Sequence, residues 1–173
     1  MTNWFDELEC PVCGTDECVP ANGPRNTGII IIGAYPGDDE INEAMPMVGN
    51  MGTKVLAPEL RYLGLSLDSV RKTNLWLHKP NKNERCLQHG LKKCIEEAAD
   101  KDFVLLLGAL PCEVFLKHRV TDINGLVMQS PLLSAKVVVP CLNPAYVWNR
   151  DATVGELRFA LRNFVEALYE KEH

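Results

Sequence analysis

The run Gly28-Ile29-Ile30-Ile31-Ile32-Gly33, leading directly into Ala34-Tyr35-Pro36-Gly37-Asp38-Asp39-Glu40, sets the architectural class of this chain. A short, wholly apolar run between glycines has the pattern of a strand covered on both faces. Three further runs share that character: Thr73-Asn74-Leu75-Trp76-Leu77, Phe103-Val104-Leu105-Leu106-Leu107-Gly108 and Lys136-Val137-Val138-Val139-Pro140. Helical patterns lie between them, over 54–63, 85–100 and about 111–118, the last opened by Pro111 at a favoured first-turn position. A final helix is marked by Val154, Leu157, Leu161, Phe164, Val165 and Leu168, which recur at three- and four-residue steps and so share one face. Alternating strands and helices predict an α/β fold, a three-layer sandwich around a central, mainly parallel four-stranded sheet.

The chain's 173 residues suit one domain, 1–173, in which 1–27 forms an N-terminal segment carrying a Cys-x-x-Cys. Hydrophobic residues at 46% and charged residues at 24% exclude a disordered, collagen-like or coiled-coil chain. No apolar run approaches the ~18–20 residues of a membrane span, and the N-terminus is acidic where a secretory leader is basic and then greasy. The expectation is a protein of the cytoplasm or nucleoid that does not engage a membrane. The net charge of −5 hides an asymmetry. Arg71, Lys72, Lys79, Lys82, Arg85, Lys92 and Lys93 face only Glu84 within their stretch, whereas residues 1–46 hold nine acids against Arg25. Such a stretch is either a solvated surface or a local face for anions or nucleic acid.

Seven cysteines, an odd number in an intracellular chain, argue against a disulfide framework. Cys10-Pro-Val-Cys13 is more telling, because two thiolates two residues apart on a tight turn can point at one metal. Cys112 and Cys141, each beside a strong apolar strand, are expected to be buried as small hydrophobes.

In open parallel sheets a ligand binds beyond the carboxyl ends of the strands. After the first strand come Gly33, Ala34, Tyr35, Pro36 and Gly37; within and after the second come Asn74, His78 and Lys79; after the third, Gly108; after the fourth, Asn143-Pro144-Ala145. The connection from 35 to 52 is long for a loop, and long loops are commonly functional. Glycines and polar groups therefore converge on one edge.

Taken together these pieces resemble the uracil-DNA glycosylase superfamily, specifically its family 4, the iron–sulfur branch. Gly33-Ala34-Tyr35-Pro36-Gly37-Asp38-Asp39-Glu40-Ile41 stands where that family has Gly-Glu-Ala-Pro-Gly-x-x-Glu-Asp. Pro46-Met47-Val48-Gly49-Asn50-Met51-Gly52 is similar to its Pro-Phe-Val-Gly-x-x-Gly, and Thr73-Asn74-Leu75-Trp76-Leu77-His78-Lys79-Pro80 to its Thr-Asn-Val-x-Lys-Cys-Arg-Pro. Leu106-Leu107-Gly108-Ala109 matches a strand end, and Asn143-Pro144-Ala145 its closing His-Pro-Ser loop. The match runs in order over roughly residues 10 to 165. Met47 replaces the aromatic that stacks on the base, Ala34 the first-loop Glu, and Asn143 the His that bonds the departing base.

The resemblance implies a protein that binds DNA and hydrolyses the N-glycosidic bond of uracil or a modified base. Gly33, Ala34, Tyr35, Pro36, Gly37, Met47 and Asn74 would hold the base, Glu40 would position water and Asn143 would bond the leaving group. Lys79, Lys82 and Arg85 would contact DNA. The alternative is a catalytically inactive DNA-binding or protein-interaction module of a replication or repair assembly. The resemblance also implies four ligands around a [4Fe–4S] cluster. Cys10 and Cys13 fit its N-terminal pair, His78 falls on the third position, and Cys94, sixteen residues on, fits the fourth. Structural zinc is the alternative, with Cys18 an alternative donor. Cys86 is the rival of His78; if one helix runs from Arg85, Cys86 stands eight residues and about 12 Å from Cys94, too far to share a cluster with it.

Overall fold

The computed structural model describes residues 4–150 and 152–172, so of the N-terminal segment 1–27 positions 4–27 are described. Four strands, β1 (Ile29–Gly33), β2 (Arg71–Asn74), β3 (Phe103–Leu107) and β4 (Val137–Cys141), form an all-parallel sheet in the order β2-β1-β3-β4. The period-two alternation of strand side chains sends Ile31, Leu105 and Val139 to one face and Ile30, Ile32, Val104, Leu106 and Val138 to the other. Each face needs its own helical cover, and that need produces the three layers.

One face packs against α2 (Ala57–Tyr62) and α7 (Val154–Glu172), with Leu60, Leu157, Leu161 and Phe164 fully buried. Arg158 donates from Nε and Nη2 to the two oxygens of Glu59 at 2.9 and 3.0 Å, tying these helices together at the surface. The other face packs against α3 (Glu84–Ala98) and α4 (Ala109–Leu116), through Cys94, Ala98, Cys112 and Phe115. Truncating a fully buried phenylalanine such as Phe115 to alanine costs roughly 3–5 kcal/mol. Short helices α1 (Asp38–Glu43), α5 (Val120–Ile123) and α6 (Pro144–Trp148) complete the chain.

Two readings of the sequence need correction. The second strand is not 73–77 but Arg71–Asn74, with two basic residues inside it and Leu75–Leu77 beyond its end. An edge strand tolerates this because both charges find partners. Arg71 makes a two-pronged pair with Glu97, at 2.8 and 3.1 Å, and donates to Gly23 O. Lys72 Nζ donates to the carbonyls of Leu67 and Val70. Arg71 and Lys72 therefore leave the basic surface that the sequence suggested. The connection from 35 to 52 is not an open loop either. It holds α1 and the start of a wide, π-type helical turn, Met51–Leu56, that runs into α2.

Candidate base-binding crevice and metal centre

The chain leaves β1 for β2 on one side and then crosses back over β1 to β3, so the strand order reverses between β1 and β3. A crevice opens at such a switch point, beyond the carboxyl ends of the strands. Gly33 ends β1, Asn74 ends β2 and pairs with Gly33 in register, and Gly108 follows β3.

Gly33 is required by contact. A Cβ there would collide with Asn74 Oδ1 and stand 3.7 Å from Met47 Cε. Asn74 is 6% exposed, and its backbone carbonyl accepts from Cys94 Sγ at 3.3 Å. Among the described residues its side-chain amide has no partner in the chain, and no fully buried side-chain nitrogen or oxygen is left unsatisfied. The amide is therefore not sealed in the core, and at the carboxyl end of the sheet it offers one acceptor and two donors. Met47 is 4% exposed and holds a left-handed backbone, φ 62°, in the wall beside it.

Asn143 is the N-cap of α6, its Oδ1 accepting the Ala145 N–H at 2.9 Å. That bond fixes the amide orientation, so Nδ2 with its two hydrogens is the free end. Gly108 has φ +95°, and a Cβ there would lie 3.3 Å from Asn143 Cβ and 3.5 Å from its Nδ2. Glu40 is half-buried at the start of α1, with Oε1 accepting the Gly37 N–H at 3.3 Å and Oε2 beside Gly49. Its carboxylate is thus partly committed to capping. Asp38 and Asp39 are exposed in the same first turn. Tyr35 is 58% exposed, so it is no core residue, and Pro36 beneath it is buried.

The metal-ligating groups assemble next to this crevice. Sγ of Cys10, Cys13 and Cys86 and a ring nitrogen of His78 all lie within 4.8 Å of one another, a set that can hold a metal. The turn after Cys10 closes through Gly14 N–H to Cys10 O at 2.9 Å, and Cys86 sits in the first turn of α3. Leu75 N–H and Trp76 N–H donate to Gly33 O and Ala34 O, joining the ligand-bearing segment to the crevice loop.

Cys94 is not in this set. It lies about two turns further along α3, fully buried in the core beneath Asn74. The helical separation of Cys86 and Cys94 does keep them apart, but Cys86, not Cys94, faces Cys10. The spacing from His78 was the misleading signal. The cue that favoured Cys86 is the loop Asn81-Lys82-Asn83, which turns the chain back just before it.

Electrostatics single out Cys10 among the buried cysteines. Burial alone would raise the Cys10 thiol, but the backbone N–H groups of Cys13 and Val12, with His78 and Cys13 side chains, lower it to about 7. Burial raises Cys86, and the neighbouring Cys13 and Cys10 sulfurs add to that. Cys18 is buried nearby and pushed up to about 12, first by burial and then by the charge of the cysteine cluster. Burial raises Cys94 and Cys141 as well, as inert core thiols.

Lys79, Lys82 and Arg85 are all exposed on the loop that runs from His78 to Cys86 of the candidate metal set. The sequence reading passed over Tyr146 and Trp148, which are 43% and 46% exposed on α6 directly after Asn143. Lys54 stacks its ammonium over Trp148, 5.4 Å from the ring centre. A cleft of about 600 Å³ lies elsewhere, between the N-terminal segment and α3. Its lining holds the ion pairs Arg71 with Glu97 and Lys101 with Asp100, and none of Gly33, Asn74, Gly108 or Asn143 lines it.

Comparison with known sequences agrees with the geometry. The family model of the uracil DNA glycosylase superfamily matches residues 20–168, and the chain belongs to that superfamily. A type-4 uracil-DNA glycosylase of Thermotoga maritima is 26% identical over 150 residues, 80% of this chain and 76% of the relative. A type-4 uracil-DNA glycosylase of Pyrobaculum aerophilum is 24% identical over 160 residues, 84% of this chain and 81% of the relative. Among the described residues no helix is long and apolar enough to cross a membrane.

Proposed function

We propose that this chain is a DNA glycosylase that receives a uracil or modified pyrimidine, taken out of the base stack, in the crevice at Gly33, Asn74 and Asn143. The observation that carries this reading is the unpaired Asn74 amide held against Gly33. With Nδ2–H on a pyrimidine carbonyl and Oδ1 on the adjacent imide N–H the amide matches uracil, whereas cytosine, with those groups reversed, matches only the amide turned by 180°. The loop of Gly33, Ala34, Tyr35, Pro36 and Gly37, with Met47, forms the walls.

When the C1′–N bond breaks, its electron pair stays on the base. The free Nδ2–H of Asn143 donates to that developing anion, the role of a preorganised donor. Water, oriented by the Glu40 oxygen not used in capping or by Asp39, adds to the sugar carbon and gives up one proton, which neutralises the released base anion. Lys79, Lys82 and Arg85 hold phosphates, and Tyr146 and Trp148 offer rings on which neighbouring bases stack. A metal held by the four-donor set serves structure here, fixing both ends of the basic loop beside the crevice.

A second reading, a DNA-binding or protein-interaction module of a repair or replication assembly without catalysis, is favoured by two residues. Ala34 carries no carboxylate, and Met47 offers no π face. Purified protein incubated with single and double strands bearing uracil, hypoxanthine, xanthine or 5-hydroxymethyluracil separates the two. Abasic sites at one base, lost in Asn74→Ala, support the enzyme. DNA binding with no abasic site on any of them gives the second reading.

A further inference from the structure

The spacing of the four donors decides whether they fit the [4Fe–4S] cluster that the family resemblance implies. Such a cluster is an eight-atom body of four irons and four sulfides, and each iron takes a different protein ligand. The ligands must therefore stand around the outside of that body. Here all four donor atoms lie within 4.8 Å of one another. Cys10 Sγ and Cys86 Sγ are 3.9 Å apart, and Cys13 Sγ and His78 Nε2 are 3.6 Å apart. Eight atoms do not fit inside that set.

One ion does. With metal–sulfur bonds of about 2.3 Å and metal–nitrogen bonds of about 2.0–2.1 Å, a tetrahedral site has sulfur–sulfur edges of about 3.8 Å and sulfur–nitrogen edges of about 3.6 Å. The two distances above match those edges. We infer that this chain holds a single zinc ion at Cys10, Cys13, His78 and Cys86, in place of the iron–sulfur cluster.

The surroundings are built for it. His78 Nδ1 lies 2.9 Å from Lys79 O, so Nδ1–H donates there and Nε2 keeps its lone pair for the metal. Asn81 Nδ2–H points to Cys86 Sγ at 3.7 Å, a donor that steadies a metal-bound thiolate. Three thiolates and an imidazole are donors that suit zinc. All four positions of a tetrahedron are taken by protein, so the ion has no place for substrate and is structural. Cys18 and Cys94 stay outside the set. The inference concerns the donors alone and holds whether or not the crevice is catalytic.

Metal analysis of the full-length protein, expressed with both iron and zinc in the medium, tests it. The expected result is a colourless protein with about one zinc per chain and neither iron nor acid-labile sulfide in stoichiometric amount. Cobalt exchanged into the site should give the intense visible ligand-field bands of tetrahedral thiolate coordination. Cys86→Ser should lose the zinc and Cys94→Ser should keep it. If Cys86→Ser fails to fold, retention by Cys94→Ser together with the wild-type stoichiometry still decides. Four irons and four sulfides per chain, after anaerobic purification or anaerobic reconstitution with iron and sulfide, would overturn the inference. So would loss of metal in Cys94→Ser, or a wild-type protein that takes up no zinc when titrated with it.

Discussion

Gly33 and Asn74 are register partners at the carboxyl ends of β1 and β2, and a methyl group on residue 33 would occupy the space of the Asn74 side-chain oxygen. Gly33→Ala should therefore act through Asn74. Its backbone lies in a strand, so the melting temperature should move by only a few degrees. Discrimination between uracil and cytosine in bound DNA should fall about 10-fold or more, as losing a two-point base contact costs roughly 1–3 kcal/mol. Equal discrimination in the variant and the wild type would remove Asn74 from base recognition.

Asn143 caps α6 with Oδ1 and holds Nδ2 beside Gly108 at the end of β3, and two substitutions separate capping from the proposed donor role. Asn143→Asp keeps an acceptor for the Ala145 N–H but has no donor. Its stability should hold while base release falls about 10²–10³-fold, the usual cost of losing one such donor. Asn143→Ala should show the same loss of rate and about 1 kcal/mol less stability, from the lost cap. Single-turnover assays with urea melts check both, and a fully active Asn143→Asp would end the leaving-group role.

Lys79 and Lys82 stand on the loop between His78 and Cys86 of the candidate metal set, so charge and a bound metal should act together on DNA binding. In Lys79→Ala with Lys82→Ala the slope of log K against log salt should flatten by about 1.8, at roughly 0.9 per phosphate contact on duplex DNA. Base preference should stay as it is. Removing the metal with a chelator under reducing conditions should weaken binding as the loop loses its anchors. An unchanged salt slope in the double variant would place the DNA face elsewhere.

Glu40 accepts the Gly37 N–H with one oxygen and is left with the other. Glu40→Gln keeps the cap and removes the charge. If the carboxylate orients water, turnover should fall by 10-fold or more with an unchanged melting temperature. A fully active Gln variant would reduce Glu40 to a cap and pass the role to Asp39.

Glu97 ties the start of β2 to α3. Its burial would raise its carboxyl, but the hydrogen bond and charge of Arg71 hold it below the usual range. A carboxyl lowered in the folded state contributes stability that is fully present above its unfolded value. That contribution is lost as the pH falls through the lower folded value. Glu97→Gln should thus cost about 3 kcal/mol near neutral pH, because Arg71 is left buried without its partner. The gap between wild type and variant should narrow below about pH 4 in urea titrations. A gap of the same size at acid pH would mean that the ion pair is not what the variant removes.

The sequence by itself determined the layers and the edge on which the site lies. Three of the four short apolar runs are strands buried on both faces, and the second overlaps its strand only at Thr73 and Asn74. In a parallel sheet the residues after the strands meet at one end. Gly33, Asn74, Gly108 and Asn143 were legible as residues of that edge for this reason, and of the candidate metal set Cys10 and Cys13 were legible from their spacing and His78 from the family resemblance. Only the tertiary structure decided which cysteine completes the metal set. Cys86 and Cys94 sit on one helix at different angles, so choosing between them needs the orientation of α3 against the N-terminal turn. That orientation is set by packing against the sheet, which no residue spacing records. The same holds for Arg71 and Lys72, which count as basic surface along the chain and turn out to be satisfied inside an edge strand. A charge's partner is chosen by contacts between segments far apart in sequence, here Glu97 and the carbonyl of Leu67, and folding alone brings them together.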